Sequence, residues 1–132
     1  MTPPPLRWAV VIVSHDPVEG HEQSGARRVL VVSAEPYHRS GMMTICPITA
    51  ARADARYPGE VPIPSGEAGQ TKDGVVLCHQ PRTISLRRIT ASQLVAGGGV
   101  RYLTDPEIRR SVRDALSHHL GLDIPSIADG AP

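Results

Sequence analysis

The sequence predicts a mainly β domain with one C-terminal helix. A chain of 132 residues is long enough for one hydrophobic core. Thirteen prolines and twelve glycines divide it into short segments, which favours a small β-barrel or sandwich over a helical bundle. There is no Phe, and the only other aromatic residues are one Trp and three Tyr, so the core must be aliphatic.

Short apolar runs rich in β-branched residues predict the strands. They cover residues 8–13, 27–33, 42–49, 60–64, 75–80 and 82–86. Residues 14–26 lack periodicity and are dense in turn formers, so we expect a long exposed loop of the kind that often carries function. Pro47 cannot donate to a strand ladder and is expected at an edge or bulge. Residues 90–103, with three consecutive glycines, indicate only a flexible connector.

The last element is predicted to be a helix that closes a barrel of six or seven strands. Thr104 and Glu107 have the spacing of a capping box, Pro106 suits the first turn, and apolar residues follow at helical spacing until Gly121. We therefore expect one domain over residues 1–122, with a flexible tail at 123–132.

Charge and composition exclude several classes of protein. A formal net charge of +1 argues against an indiscriminate polyanion binder, and the arginines at 109, 110 and 113 are interpreted as a solvated helix face. No apolar run has membrane-spanning length and no signal peptide is recognisable, so a cytoplasmic protein without a membrane partner is expected. Cys46 and Cys78 lie in apolar runs and are interpreted as buried free thiols.

No motif indicates a metal or cofactor site. The six histidines lack ligand spacing, and HExxH, CxxC, P-loop and GxSxG motifs are absent. What remains is a set of polar residues at the ends of successive strands: Arg27, Ser33, Thr49, His79, Gln80, Arg82 and Thr83. A guanidinium beside a hydroxyl suits a phosphate oxygen. From the pattern alone, the favoured interpretation is that Thr49 is a β-former and Arg27 a surface cation.

Four segments in order resemble the MazF/PemK family of toxin endoribonucleases. They are DPVEGHEQSGARRVLVVS, CPIT with its terminal threonine, EVPIP, and KDGVVLCHQPRTISLRRI. The resemblance runs from about residue 17 to residue 89, and ALSHHLGL is similar to the end of the family's C-terminal helix.

The resemblance implies an SH3-like β-barrel of the MazF/PemK/CcdB type. It implies a homodimeric toxin of a type II toxin-antitoxin system that cuts single-stranded RNA (mRNA) without a metal, leaving a 2′,3′-cyclic phosphate and a 5′-hydroxyl. Arg27 and Thr49 are the implied catalytic pair, and a cognate antitoxin would occupy the RNA groove. The candidate RNA-binding residues are Glu22, Gln23, Arg28, Ser33, His79, Gln80 and Arg82.

Several positions depart from the family pattern. Arg28 replaces a proline and either holds phosphate or faces solvent; His79 replaces an acidic residue and is either a general base or a structural or RNA-contacting residue. Ala9 lacks the family's carboxylate, Pro81 interrupts a motif, and Gly97–Gly99 has no counterpart. Two alternatives therefore stay open: a catalytically impaired homologue that binds RNA or antitoxin, and a gyrase-directed toxin on the related fold.

Overall fold

The computed structural model describes residues 4–15, 25–90 and 99–124. Within these ranges the chain forms seven strands and one α-helix. They are β1 (Ala9–His15), β2 (Gly25–Val31), β3 (Met42–Thr49), β4 (Glu60–Ile63), β5 (Gly74–Leu77), β6 (Arg82–Ser85), β7 (Arg101–Tyr102) and α1 (Pro106–His119). The predicted mainly β fold with one C-terminal helix is confirmed.

The strands form one strongly curved antiparallel sheet in the order β4-β5-β3-β2-β1-β7. β6 and β5 share one edge of β3, where β6 pairs with Met42–Ile45 and β5 pairs with Ile48 and Thr49. After β6 the chain reaches β1, because Ile89 bridges to Val13. This return brings the two sides of the sheet together as a partial barrel.

Apolar side chains cover both faces of the sheet. The first apolar layer joins the sheet to α1 and includes Val10, Leu30, Cys46, Ile48, Val76, Val112 and Ala115. The second apolar layer lies on the other face and includes Val11, Val13, Val29, Val31, Met43, Ile45 and Ile84. Successive residues of β2 and β3 alternate between the two layers, as the pleat of a strand requires.

Two sequence expectations about the strands were wrong. β1 extends to His15 and β2 begins at Gly25, so the predicted loop is shorter, because Ser14 and Ala26 pair across the hairpin. Pro47 lies in an interior strand, opposite Val29. Proline is tolerated there because, on the edge of β3 away from β2, β6 pairs only as far as Ile45 and β5 pairs only from Ile48. Pro47 therefore has no strand partner on that edge that would need its missing N–H.

The helix begins differently from the prediction. Asp105 is the N-cap, since its Oδ1 accepts hydrogen bonds from the backbone N–H groups of Glu107 (2.8 Å) and Ile108 (3.3 Å). Thr104 instead donates its backbone N–H and its hydroxyl to the carboxylate of Glu67, at 3.0 and 3.2 Å. The predicted capping box is therefore wrong by one residue: Asp105 accepts the hydrogen bonds at the start of the helix, and Thr104 binds Glu67 instead.

Cys46 and Cys78 are buried free thiols, as predicted. A hydrogen bond to Cys46 and burial raise the pKa of the Cys78 thiol. The described part of the chain contains no helix that is both long and apolar enough to cross a membrane. Of the predicted tail, residues 125–132 lie outside the described residues.

Candidate active site

Arg27 and Thr49 lie at the same rim of the sheet and on the same face. Val29 pairs with Pro47 in the antiparallel ladder of β2 and β3. Arg27 is two residues before Val29 and Thr49 is two residues after Pro47, so both side chains lie on the face of Val29 and towards the same end of the ladder. Both are half-buried at the edge of the second apolar layer, and Arg27 lies opposite the fully buried Val13. A guanidinium and a hydroxyl beside buried apolar side chains interact more strongly with an anion than they would in bulk water, because the local dielectric constant is lower.

The side chain of Arg28 belongs to the other face. It follows Arg27 in the same strand, and its Nη1 donates a 2.8 Å hydrogen bond to Oε1 of Gln70, which is buried. The structure therefore does not bring Arg28 together with Arg27. The adjacent arginines are separated by the pleat of β2, and Arg28 has a structural partner.

Arg82 and Arg88 extend the positive charge on the side of Arg27. Arg82 pairs with Ile45 in the second apolar layer, so its exposed side chain lies on the same face as Thr49. Arg88 reaches β1, where its Nη1 lies 3.4 Å from the carbonyl oxygen of Ser14. The sequence shows Arg88 only as half of a basic pair, and the bridge from Ile89 to β1 gives it this position.

Ser33 is not part of this group. It lies beyond the opposite end of β2 from Arg27, about 20 Å away at the rise of a strand. Its Oγ accepts a hydrogen bond from the backbone N–H of Thr44 (2.9 Å) and lies 2.7 Å from Nε2 of His38. Both ends of β2 carry polar residues, but only one end shares a rim with Thr49, so the structure does not bring Ser33 together with Arg27.

His79 and Gln80 occupy the turn between β5 and β6. The His79 ring lies against Tyr57 with ring centroids 6.3 Å apart, and its Nδ1 is buried without a hydrogen-bond partner among the described residues. Gln80 is exposed, with its Nε2 3.3 Å from His79 Nε2. A Cβ on Gly59 would lie 2.7 Å from the Cβ of His79, so glycine permits this close approach.

Arg52, which follows Thr49 closely in sequence, is bound to protein. Its guanidinium forms two hydrogen bonds with the carboxylate of Glu60, at 2.7 and 2.5 Å, and a third with the carbonyl of Asp54 at 2.8 Å. The backbone N–H of Arg56 also donates to Glu60 at 2.8 Å. These bonds fix the segment between β3 and β4, which carries Tyr57 to His79.

The remaining candidates lie beyond what the structure describes. Glu22 and Gln23 fall in residues 16–24, outside the described residues. Across the described ranges, no group of three or more His, Cys, Asp or Glu residues could hold a metal ion. Among the described residues, the candidate site therefore comprises Arg27, Thr49 and Arg82, with His79 and Gln80 in the adjoining turn.

The sequence matches a protein family over most of its length. Residues 6–116 match the family described as PemK-like, MazF-like toxin of type II toxin-antitoxin system. This span includes every candidate site residue and most of α1.

Individual relatives are similar in sequence and in structure. The chain is 39% identical to the endoribonuclease toxin ChpB of Escherichia coli K12, over 67% of this chain and 76% of that protein. It is 36% identical to the endoribonuclease EndoA of Bacillus subtilis, over 88% of this chain and 94% of that protein. A MazE-MazF crystal structure from Deinococcus radiodurans superimposes with a TM-score of 0.67 at 30% identity, covering 90% of this chain and 97% of that chain.

The Glu60–Arg52 pair predicts a measurable dependence of stability on pH. The Arg52 guanidinium, aided by the Arg56 N–H, lowers the pKa of Glu60 from 4.5 to about 2. A lowered carboxyl pKa in the folded state contributes stability above pH 4.5 that is lost as the pH falls towards 2. We therefore expect the melting temperature of the wild type to fall more steeply across this window than that of Glu60→Gln. If the melting temperatures of the two proteins fell equally with pH, the ion pair would not stabilise the fold.

Proposed function

The chain belongs to the PemK-like, MazF-like toxin family of type II toxin-antitoxin systems, and we propose that it is an endoribonuclease toxin that cuts single-stranded RNA. Relatives covering most of its length are named endoribonucleases, not gyrase-directed toxins. The observation that carries the proposal for the site is the position of Arg27 and Thr49 on one face at one rim.

The proposed reaction uses a nucleophile of the substrate. The 2′-oxygen of the ribose attacks the adjacent phosphorus, and the bond from phosphorus to the 5′-oxygen breaks. The products are a 2′,3′-cyclic phosphate and a 5′-hydroxyl. The proton of the 2′-hydroxyl leaves as the new bond forms, and the departing 5′-oxygen takes up a proton. This route requires no metal-bound nucleophile.

We assign charge stabilisation to Arg27 and Thr49. Negative charge grows on the non-bridging oxygens as the fifth oxygen approaches phosphorus, and fixed donors stabilise this charge by about 3–4 kcal/mol each in comparable oxyanion sites. The guanidinium group stays protonated in proteins and has no lone pair to accept a proton, so Arg27 is assigned no role as a general base. We therefore propose that it binds the phosphate and donates a proton towards the 5′-oxygen.

The RNA strand is proposed to continue over the residues beside this pair. Arg82 adds a cation on the same face, and His79 and Gln80 present a ring and an amide in the adjoining turn. Glu22 and Gln23 remain candidates from the family resemblance alone. We leave Arg28 and Ser33 out of the RNA-binding set because each is hydrogen-bonded within the fold, away from Arg27.

Further aspects of the proposal come from the family. A cognate antitoxin is the proposed partner, and one of the solved structures of the Deinococcus radiodurans relative is a complex with MazE. A homodimer and a cytoplasmic location are also proposed, on the family resemblance.

Adjacent arginines allow a matched test of the site. We expect Arg27→Ala to reduce RNA cleavage by about 100-fold or more, because it removes a charged donor from the transition state. We expect Arg28→Ala to retain cleavage but to lower the melting temperature, because it leaves Oε1 of the buried Gln70 without its donor. Cleavage rates and thermal melts of the two variants measure both effects.

The pair of variants separates catalysis from folding. Arg27→Ala should melt near the wild-type temperature, since its guanidinium forms no hydrogen bond with the described residues. Equal losses of cleavage in the two variants would contradict the assignment of opposite faces.

Thr49 is tested by removing only its hydroxyl. Thr49→Val keeps the volume and β-propensity of the side chain, and we expect cleavage to fall by about 100-fold because one donor is lost. Thr49→Ser, which retains the hydroxyl, should keep most of the activity. Wild-type rates for Thr49→Val would mean that Thr49 serves only as a β-former.

A further inference from the structure

A second group of arginines lies outside the candidate active site. Arg7, Trp8, Pro106, Arg109, Arg110 and Arg113 line a surface cavity of about 430 Å³, here called the arginine pocket. It is formed by the segment before β1 and the first two turns of α1. This helix packs on the first apolar layer, whereas Arg27 and Thr49 border the second. The pocket therefore belongs to the opposite face of the sheet.

Trp8 holds two of these arginines in place. The guanidinium carbons of Arg7 and Arg109 both lie 5.3 Å from the centroid of the indole ring. Arg109 is fixed a second time, because its Nε donates a 2.7 Å hydrogen bond to the carbonyl of Leu103. That bond uses one of the five N–H donors of the guanidinium, so the others remain available to a ligand.

The backbone around Trp8 supports this arrangement. Trp8 has a φ of 69°, which bulky residues rarely adopt. The conformation is held by 2.8 Å hydrogen bonds from Trp8 N–H to the Val31 carbonyl and from Leu103 N–H to the Trp8 carbonyl. The indole is thus a rigid support for the two arginines, which lowers the ordering cost of binding an anion.

The positive charge of the pocket has no partner in the described part of the chain. No acidic residue is among those that line it, and none of its four arginines forms an ion pair with a described residue. Arg109 also lies at the end of the first turn of the helix, where the helix dipole disfavours cations. Unneutralised charge in an unfavourable place is a local conflict of the kind that marks functional positions.

We infer that the arginine pocket binds a phosphate group. Several guanidiniums around one small cavity suit a tetrahedral anion with up to two charges, because its oxygens accept hydrogen bonds in several planes. The two oxygens of a carboxylate lie in one plane, so a single arginine can donate hydrogen bonds to both of them. The phosphate could belong to a free phosphate or nucleotide, or to the backbone of RNA; the RNA source rests on the proposed function.

Trp8 provides a direct readout, because it is the only tryptophan in the chain. We expect its fluorescence to change saturably when inorganic phosphate is added to the full chain at ionic strength held constant with potassium chloride. In the double variant Arg110→Gln/Arg113→Gln the apparent affinity should fall about tenfold or more, because two charged donors are lost. Both positions are exposed, and glutamine retains helix propensity, so this variant should melt near the wild-type temperature.

A second double variant controls for net charge. Arg39→Gln/Arg87→Gln removes the same charge from two exposed positions outside the pocket, and it should bind phosphate as the wild type does. Equal weakening in the two double variants would overturn the site, as would a fluorescence response that potassium chloride reproduces.

Further arms of the experiment identify the source of the phosphate. A short single-stranded RNA is added to Arg27→Ala protein, so that cleavage does not interfere. A response lost with Arg110→Gln/Arg113→Gln supports RNA as the source, and a response to inorganic phosphate without one to RNA supports a free phosphate. A response to poly-glutamate without one to phosphate would overturn the proposal in favour of an acidic protein segment. The phosphate arm does not depend on RNA cleavage, so the site and the proposed function can fail separately.

Discussion

The register between β2 and β3 is the constraint on which the candidate site depends. Both faces of the sheet are covered by apolar side chains, and Leu30 on one face and Val29 and Val31 on the other are fully buried. A shift of one residue would exchange the two faces and bury the polar residues at the strand ends. The register is thus fixed by burial in the centre of the strands, and its effect at their ends is to place Arg27 and Thr49 on one face at the same rim.

The same alternation gives neighbouring residues different roles. Arg27 lies at the border of the second apolar layer, at the rim of the sheet, whereas Arg28 lies on the other face and donates a hydrogen bond to Gln70. Arg52 is also bound within the fold, because the carboxylate of Glu60 accepts hydrogen bonds from both of its terminal nitrogens. Of the arginines near this rim, those left to meet a substrate are the ones whose guanidinium has no side-chain hydrogen-bond partner among the described residues. This selection gives a chain of net charge +1 a local preference for phosphate.

The fold class and most strands could be predicted because short β-branched runs and a periodic helix are local signals. The pairing of Arg27 with Thr49 came from a family resemblance, and the register of β2 and β3 is consistent with it. The structure does not bring Arg28 and Ser33 together with Arg27, because adjacent strand residues face opposite ways and the two ends of one strand lie far apart. Other features depend on contacts distant in sequence, including β7, the return of Arg88 to β1, and the meeting of Trp8 with Arg109.

The central claim is that this rim stabilises attack by the RNA's own 2′-oxygen. The most direct measurement is to incubate the protein in EDTA with two single-stranded RNAs that differ only by one 2′-deoxy nucleotide at a mapped cut, and to identify the chemical groups at the new ends. The account predicts a discrete cut in the all-ribose strand, with a 2′,3′-cyclic phosphate and a 5′-hydroxyl, and no cut at the deoxy position. Cleavage of the deoxy-substituted strand at the same site, or products with a 5′-phosphate, would contradict it.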